Sequence, residues 1–247
     1  MEVVDYIFNQ FKELLTRAGF AFTKEQLVWL CNLLDTVFVQ YLDEEKPVVS
    51  LRDGMGRTIA EAEVELNSQV IDVVPIWKDG YFLTVCPVLA LEKKEHWNGD
   101  DKTARHVLIH EICHLLSIGK YVPAPGEFDA MIWKHSYGIN DYAYELQDGQ
   151  LVRRNYDGSY LINEMVNEFV TGHFVKAIFG EELKAYPKQR QFEEYVATRL
   201  AEDKKDITDL VHWYFTGSTE RLRELLLALS YREYGDLEKS VRNGNFR

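Results

Sequence analysis

Apolar residues recur at helical spacing in two stretches at the start of the chain. Over residues 3–17 they fall at Val4, Ile7, Phe8, Phe11, Leu14 and Leu15. Over 24–42 they fall at Leu27, Leu30, Leu34, Val37, Phe38 and Tyr41. Both follow the i, i+3, i+4 recurrence of an amphipathic helix. Thr23 is a good N-cap for the second, with Glu25 and Gln26 reading as just short of capping-box spacing. The period changes after Pro47. Residues 58–66 alternate polar and apolar, which predicts a half-exposed strand. Residues 70–77 and 81–86 are β-branched and aromatic around the turn signal Lys78-Asp79-Gly80, which predicts a hairpin. A small, mostly antiparallel sheet is expected here.

Over 101–118 the apolar positions Val107, Leu108, Ile109, Ile112, Leu115, Leu116 and Ile118 spread nearly all round a helix, bounded by Asp100 as N-cap and Gly119 as stop. A helix apolar on all sides is buried. Residues 120–160 show no long period and are rich in aromatics, with Gln147-Asp148-Gly149 as a hairpin turn. Helical period returns at 163–179, between Asn163 as N-cap and Gly180, then at 188–203, 206–215 and 219–232, before a polar tail. The fold class predicted is α+β: a small mixed or antiparallel sheet with one buried helix, then a helical C-terminal lobe. Residues 1–119 and 120–247 form two lobes of one unit in this reading.

Composition narrows the partners. The chain of 247 residues is 46% hydrophobic, enough to bury a sizeable core. Twenty-eight basic against 40 acidic residues give a net charge of −12. That balance argues against nucleic acid and against anionic membranes, which both need clustered Lys and Arg. Cys31, Cys86 and Cys113 are odd in number and far apart, which fits a reducing compartment and no disulfide framework. The opening residues lack the basic and apolar regions of a signal peptide, and no apolar run reaches membrane-spanning length. A cytoplasmic address is expected; export without an N-terminal signal would look the same.

Within the buried helix stands His110-Glu111-Ile112-Cys113-His114, an H-E-x-x-H sequence. Two histidines four apart lie one turn apart and about 40° around the axis, so both imidazoles reach one metal ion. Glu111 sits to the side, placed to act on a zinc-bound water rather than to ligate. A catalytic Zn2+ takes three protein ligands and keeps a fourth position open. The best third ligand lies in Asn163-Glu164-Met165-Val166-Asn167-Glu168. Glu164 and Glu168 are four apart and face the same way. Glu164 would bind the metal, and Glu168 would accept the other ring N–H of His110.

H-E-x-x-H followed by a helix carrying N-E-x-x-x-E resembles the gluzincin metallopeptidases. Asn163, Glu164 and Glu168 match the downstream signature of thermolysin-like members, with Glu in place of the usual Asp. The 50-residue gap from His114 to Glu164 is nearer to that of clostridial neurotoxin and anthrax lethal factor-like peptidases. The resemblance covers roughly residues 58–180 in element order, and its matching residues are confined to the two motifs. It implies a zincin-like fold, one catalytic Zn2+, a peptide or protein substrate and a substrate strand paired to the edge of the upstream sheet. The lethal factor-like group places an oxyanion-stabilising Tyr seven residues before the ligand Glu. Here that position is Asp157, flanked by Tyr156 and Tyr160, which become the candidates. His173, the counterpart of the thermolysin His, lies about 180° from Glu164 on its helix. The chain lacks the Gly-x-Met-x-Asn segment of gluzincin aminopeptidases, so an endopeptidase is expected.

Blander readings stand beside these. Glu164 and Glu168 near a helix N-terminus are also favoured by the helix dipole whatever their role. Cys113 reads as a small core residue. His106 either neighbours the site or is a partly exposed helix histidine. The alternatives to an enzyme of broad use are a catalytically silent zinc-binding regulatory protein of the same fold, disfavoured by the intact Glu111, and a toxin or effector protease with one target.

Overall fold

The computed structural model describes residues 3–17, 19–43, 45–71, 76–78, 81–83, 86–92, 102–119, 122–123, 132–147, 150–182, 186–227 and 230–246. Two helices open the chain, α1 (Val3–Arg17) and α2 (Lys24–Thr36). Thr23 caps α2, and Gln26 occupies the N3 position of a complete capping box. The sequence reading placed that box one residue out of register. It also carried α2 too far. The chain leaves the helix at Val37 in extended conformation, and Phe38–Leu42 form strand β1. Phe38, Gln40 and Leu42 turn one way while Val39 and Tyr41 face solvent. The β-branched and aromatic run suits a pleated surface better than a fourth helical turn.

Strands β2 (Val48–Arg52) and β3 (Thr58–Glu63) pair antiparallel. Asp53 closes their turn by accepting the Met55 and Arg57 N–H groups and pairing with the Arg57 guanidinium. The expected strand at 70–77 is two. β4 (Gln69–Ile71) joins β7 (Val88–Glu92), whereas β5 (Ile76–Lys78) pairs with β6 (Tyr81–Leu83) as a hairpin whose turn lies outside the described residues. The sheet beside the motif helix runs β1-β7-β4, with β1 parallel and β4 antiparallel to β7. It is therefore mixed, and among the described residues β4 is an edge.

The motif helix α3 is Lys102–Leu116, and the expected cap Asp100 lies outside the described residues. Its burial is as the apolar pattern requires, with Leu108, Ile109, Ile112, Leu115 and Leu116 fully enclosed. Gly119 is not a left-handed stop. Its N–H donates to the Ser136 carbonyl at 2.8 Å, and a Cβ there would meet Ser136 Oγ at 2.1 Å.

Residues 120–160 hold what the sequence reading missed, a four-stranded antiparallel sheet. β8 (Val122–Pro123), β9 (Ile132–Tyr137), β10 (Asn140–Gln147) and β11 (Gln150–Asp157) lie in the order β11-β10-β9-β8. Gln147 faces Gln150 across the expected turn. Helix α4 (Tyr160–Phe179) follows at once and starts three residues earlier than predicted. Ser159, not Asn163, is its N-cap and accepts from the Ile162 N–H; Gly180 ends it in left-handed conformation, as expected. The chain closes with α5 (Pro187–Glu202), α6 (Ile207–Thr216), α7 (Thr219–Leu227) and α8 (Tyr234–Asn243). α7 is shorter than predicted, and α8 replaces the supposed polar tail by burying Tyr234, Leu237 and Val241.

The architecture is α+β. One apolar core runs from α1 and α2 through α3 and α4 to the C-terminal helices, and a smaller one lies between the β1-β7 face and β2-β3. Among the described residues no helix is long and apolar enough to cross a membrane.

Candidate metal centre

α3 and α4 lie side by side and antiparallel. Arg105 near the start of α3 pairs with Glu181 just past the end of α4 at 2.6 Å, and its guanidinium lies over Phe179. Toward the other end, Tyr214 of α6 is wholly buried and its hydroxyl bonds Asn163, Asn167 and Ser117. Asn167 Nδ2 donates to the His110 carbonyl at 3.0 Å, and Asn163 Oδ1 accepts from the Ile139 N–H at 3.0 Å. The repeated Asn-Glu pairs of α4 thus divide the work. Asn163 and Asn167 face inward and fix the helix to α3 and to the β9-β10 turn. Glu164 and Glu168, one position on, face the histidines. Gly138 in that turn has φ +59°, and a Cβ there would strike Asn163 Oδ1 at 2.1 Å.

This frame brings His110, His114 and Glu164 together. His110 Nε2 and His114 Nε2 are 3.2 Å apart. Glu164 reaches His110 Nε2 at 3.3 Å with Oε2 and His114 Nε2 at 3.1 Å with Oε1. Two ligand atoms each 2.0–2.1 Å from a tetrahedral Zn2+ are about 3.3 Å apart. The donor set therefore fits one such ion without rearrangement. His110 Nδ1 lies 2.9 Å from Glu168 Oε2, which leaves Nε2 as the ligating nitrogen once Nδ1 carries the proton. The ring of His114 stacks on that of Tyr137 at 5.7 Å, and its Nδ1 is buried without a hydrogen-bond partner among the described residues.

A second grouping, His106, His110 and Glu168, also has metal-binding composition. It shares His110 with the first. Its contacts, 2.8 Å from His106 Nε2 to Glu168 Oε1 and 2.9 Å from Glu168 to His110 Nδ1, are hydrogen bonds between complementary groups. A ring cannot ligate through both nitrogens while keeping a proton, so the two groupings exclude each other. The His110, His114 and Glu164 set, whose ligand atoms lie 3.1–3.3 Å apart, is the better placed of the two to hold an ion.

Electrostatics separate the roles. Burial works against ionised Glu164, but hydrogen bonds from His110 and His114 outweigh it and hold the carboxyl well below its ordinary range. Burial likewise opposes ionised Glu168, and hydrogen bonds from His106 and His110 bring it down to about 2. For His110, burial disfavours the cation, yet the bonds to Glu164 and Glu168 carry its pKa up to about 10 in the metal-free protein. His114 moves down, chiefly through burial, and is neutral at pH 7. Glu111 is 7% exposed. Burial pushes its pKa up to about 8, with His110 pulling against it, and its carboxyl accepts from the Val70 N–H of β4.

The remaining sequence candidates fall as follows. Tyr160 opens α4 one turn before Glu164, on the same face, and is 59% exposed; its hydroxyl accepts a long 3.5 Å contact from Tyr142. Tyr156 stacks between Tyr142 and Tyr160 and donates to Asn140 Oδ1 at 3.1 Å. His173 packs against Phe20 and Phe174, away from the ligands. Cys113 is fully enclosed, and burial pushes its thiol well up, as suits a core residue. Sequence reasoning gave no role to Asn167 and Tyr214, and left His106 undecided. Asn167 was visible as the second Asn-Glu pair, but the other two declare themselves only in three dimensions.

Together these residues can hold a divalent cation on three ligands with a buried carboxyl beside it. No family model matches the chain, and no curated protein or solved structure is significantly similar to it, so the geometry of the site carries its assignment.

Proposed function

We propose that the chain is a gluzincin-like, zinc-dependent peptidase of zincin fold, acting as an endopeptidase. The observation that supports this most directly is the convergence of His110 Nε2, His114 Nε2 and the Glu164 carboxylate within 3.1–3.3 Å of one another. Zn2+ bound there supplies a Lewis acid that acidifies water and polarises a carbonyl. Glu111, on the same helix and buried, takes a proton from the attacking water and returns it to the leaving amine. Glu168 keeps the His110 proton on Nδ1 and so holds the ring in its ligating tautomer. Of the two tyrosines, Tyr160 is the better oxyanion donor. It shares the Glu164 face of α4, whereas the Tyr156 hydroxyl is engaged by Asn140. The substrate backbone enters along β4, the sheet edge next to Glu111.

The test is direct. Purified protein should carry about one Zn2+ per chain, as a single three-ligand site requires. Glu111→Gln should retain the metal and lose peptide hydrolysis in a proteome-wide cleavage screen against wild type. Tyr160→Phe should keep the metal and lower kcat more than Tyr156→Phe. Absence of zinc uptake, or undiminished hydrolysis by Glu111→Gln, overturns the reading.

A further inference from the structure

His106 lies one helical turn before His110 on α3, with its side chain 28% exposed. Alone it is an ordinary surface histidine. In the structure it faces Glu168, whose carboxylate is shared. Oε1 lies 2.8 Å from His106 Nε2, and Oε2 lies 2.9 Å from His110 Nδ1. A carboxylate is an acceptor only, so both rings donate to it. We propose that His106 is a positioning residue for the metal centre, acting through Glu168: it fixes the carboxylate plane so that the second oxygen stays on His110 Nδ1 and Nε2 stays on the ion. This inference rests on the zinc site proposed above.

The geometry explains why one contact from α4 is not enough. Glu168 reaches His110 with a side chain of three rotatable bonds, and its carboxyl is partly exposed. With one partner, the carboxylate can turn about its last torsion and bring either oxygen, or neither, to Nδ1. With His106 holding the other oxygen, that rotation breaks a charge-assisted hydrogen bond. Because His106 and His110 are one turn apart on one helix, their separation is set by the backbone. The two rings then span the carboxylate like a fixed fork.

The experiment measures Zn2+ affinity of the apo-protein by competition with a chromophoric chelator, which needs no substrate. Removing a group behind a ligand typically costs about 10- to 100-fold in metal affinity, and Glu168→Ala should fall in that range. His106→Ala, one bond further out, should lose less, about three- to tenfold, below that range. His106→Gln, which restores an N–H donor, should recover most of the loss. In a Glu168→Ala background, His106→Ala should change nothing further, because its only route to the metal is gone. Thermal melts of the apo-proteins check that each variant folds. Loss of affinity in His106→Ala that adds in full to that of Glu168→Ala, or is not recovered by Gln, overturns the proposal, as does a second equivalent of Zn2+ lost with His106. Wild-type protein that binds normally, alongside an unaffected His106→Ala, refutes this inference alone. Wild-type protein that binds no Zn2+ removes the metal site and the inference with it.

Discussion

Adding Zn2+ to the metal-free protein should expel protons in a number set by two residues. His110, raised to about 10 by Glu164 and Glu168 against the effect of burial, holds a proton at neutral pH. Glu111, raised to about 8 chiefly by burial, also holds one over most of the population. His114 is shifted down by burial, and Glu164 is held ionised by the two histidines, so neither brings a proton. The metal takes His110 Nε2 outright, and its charge pulls the Glu111 pKa down. Release should therefore be about two protons per ion at pH 6.5, falling to about one at pH 8.5 as Glu111 ionises in the free protein. The sign is fixed: proton and metal compete, so affinity falls as pH falls. Integrated between those limits, the affinity rises roughly a thousandfold.

Titration calorimetry in buffers of different ionisation enthalpy counts the protons directly. Glu111→Gln separates the contributions, because it should release about one proton throughout this range. A wild type that releases none at pH 6.5 refutes the arrangement of His110 between two carboxylates and the ion. Equal release from wild type and Glu111→Gln refutes the coupling of Glu111 to the metal, and with it the proton shuttle.

Glu164→Ala should cost more metal affinity than Glu168→Ala, which should lose about 10- to 100-fold; competition titration showing the reverse order would exchange their roles. Gly138→Ala forces a side chain into left-handed backbone and against Asn163 Oδ1 and the Tyr214 ring. It should destabilise the fold by about 2–4 kcal/mol in urea unfolding, and a change under 1 kcal/mol would show that the turn can move away from α4.

The residues that could be read from the sequence are those whose partners lie within one helical turn. His110 and His114 share a helix face, as do Glu164 and Glu168, and Gly180 ends its helix where an achiral residue is needed. The α+β class followed from periods of that kind. The second sheet was missed although Asp141 to Gln147 alternates, with Tyr142, Tyr144 and Leu146 set between polar or small residues. Short aromatic alternations of this sort read equally well as loop until their partner strands are known. Asn163 made a convincing cap because it is an Asn at the head of an apolar run. Ser159 won because β11 runs to Asp157, leaving two residues before α4 begins. His106 had no local signal, since its partner is 62 residues away.

A hydrogen-bonded cluster kept for stability would contain some of these groups but not all. His106, Glu168, His110 and Glu164 form a chain in which each carboxylate meets ring nitrogens. Two neighbouring groups are more deeply buried. Glu111 is nearly enclosed, with the Val70 N–H as a partner and His110 pulling its pKa down against burial. His114 has a buried Nδ1 with no partner among them. A buried polar group left unsatisfied costs about 1–3 kcal/mol, and apolar groups of the same shape would remove that cost. Packing gives no reason for a carboxylate and an imidazole at these two places, because Leu or Met on the same helix would fill the space and bury more apolar surface. A metal ion held with Glu164 on Nε2 would favour an imidazole at position 114. The proton transfer proposed above would give a reason for an enclosed carboxyl at position 111. Under the proposed function both residues have a use that a stability-only cluster does not give them.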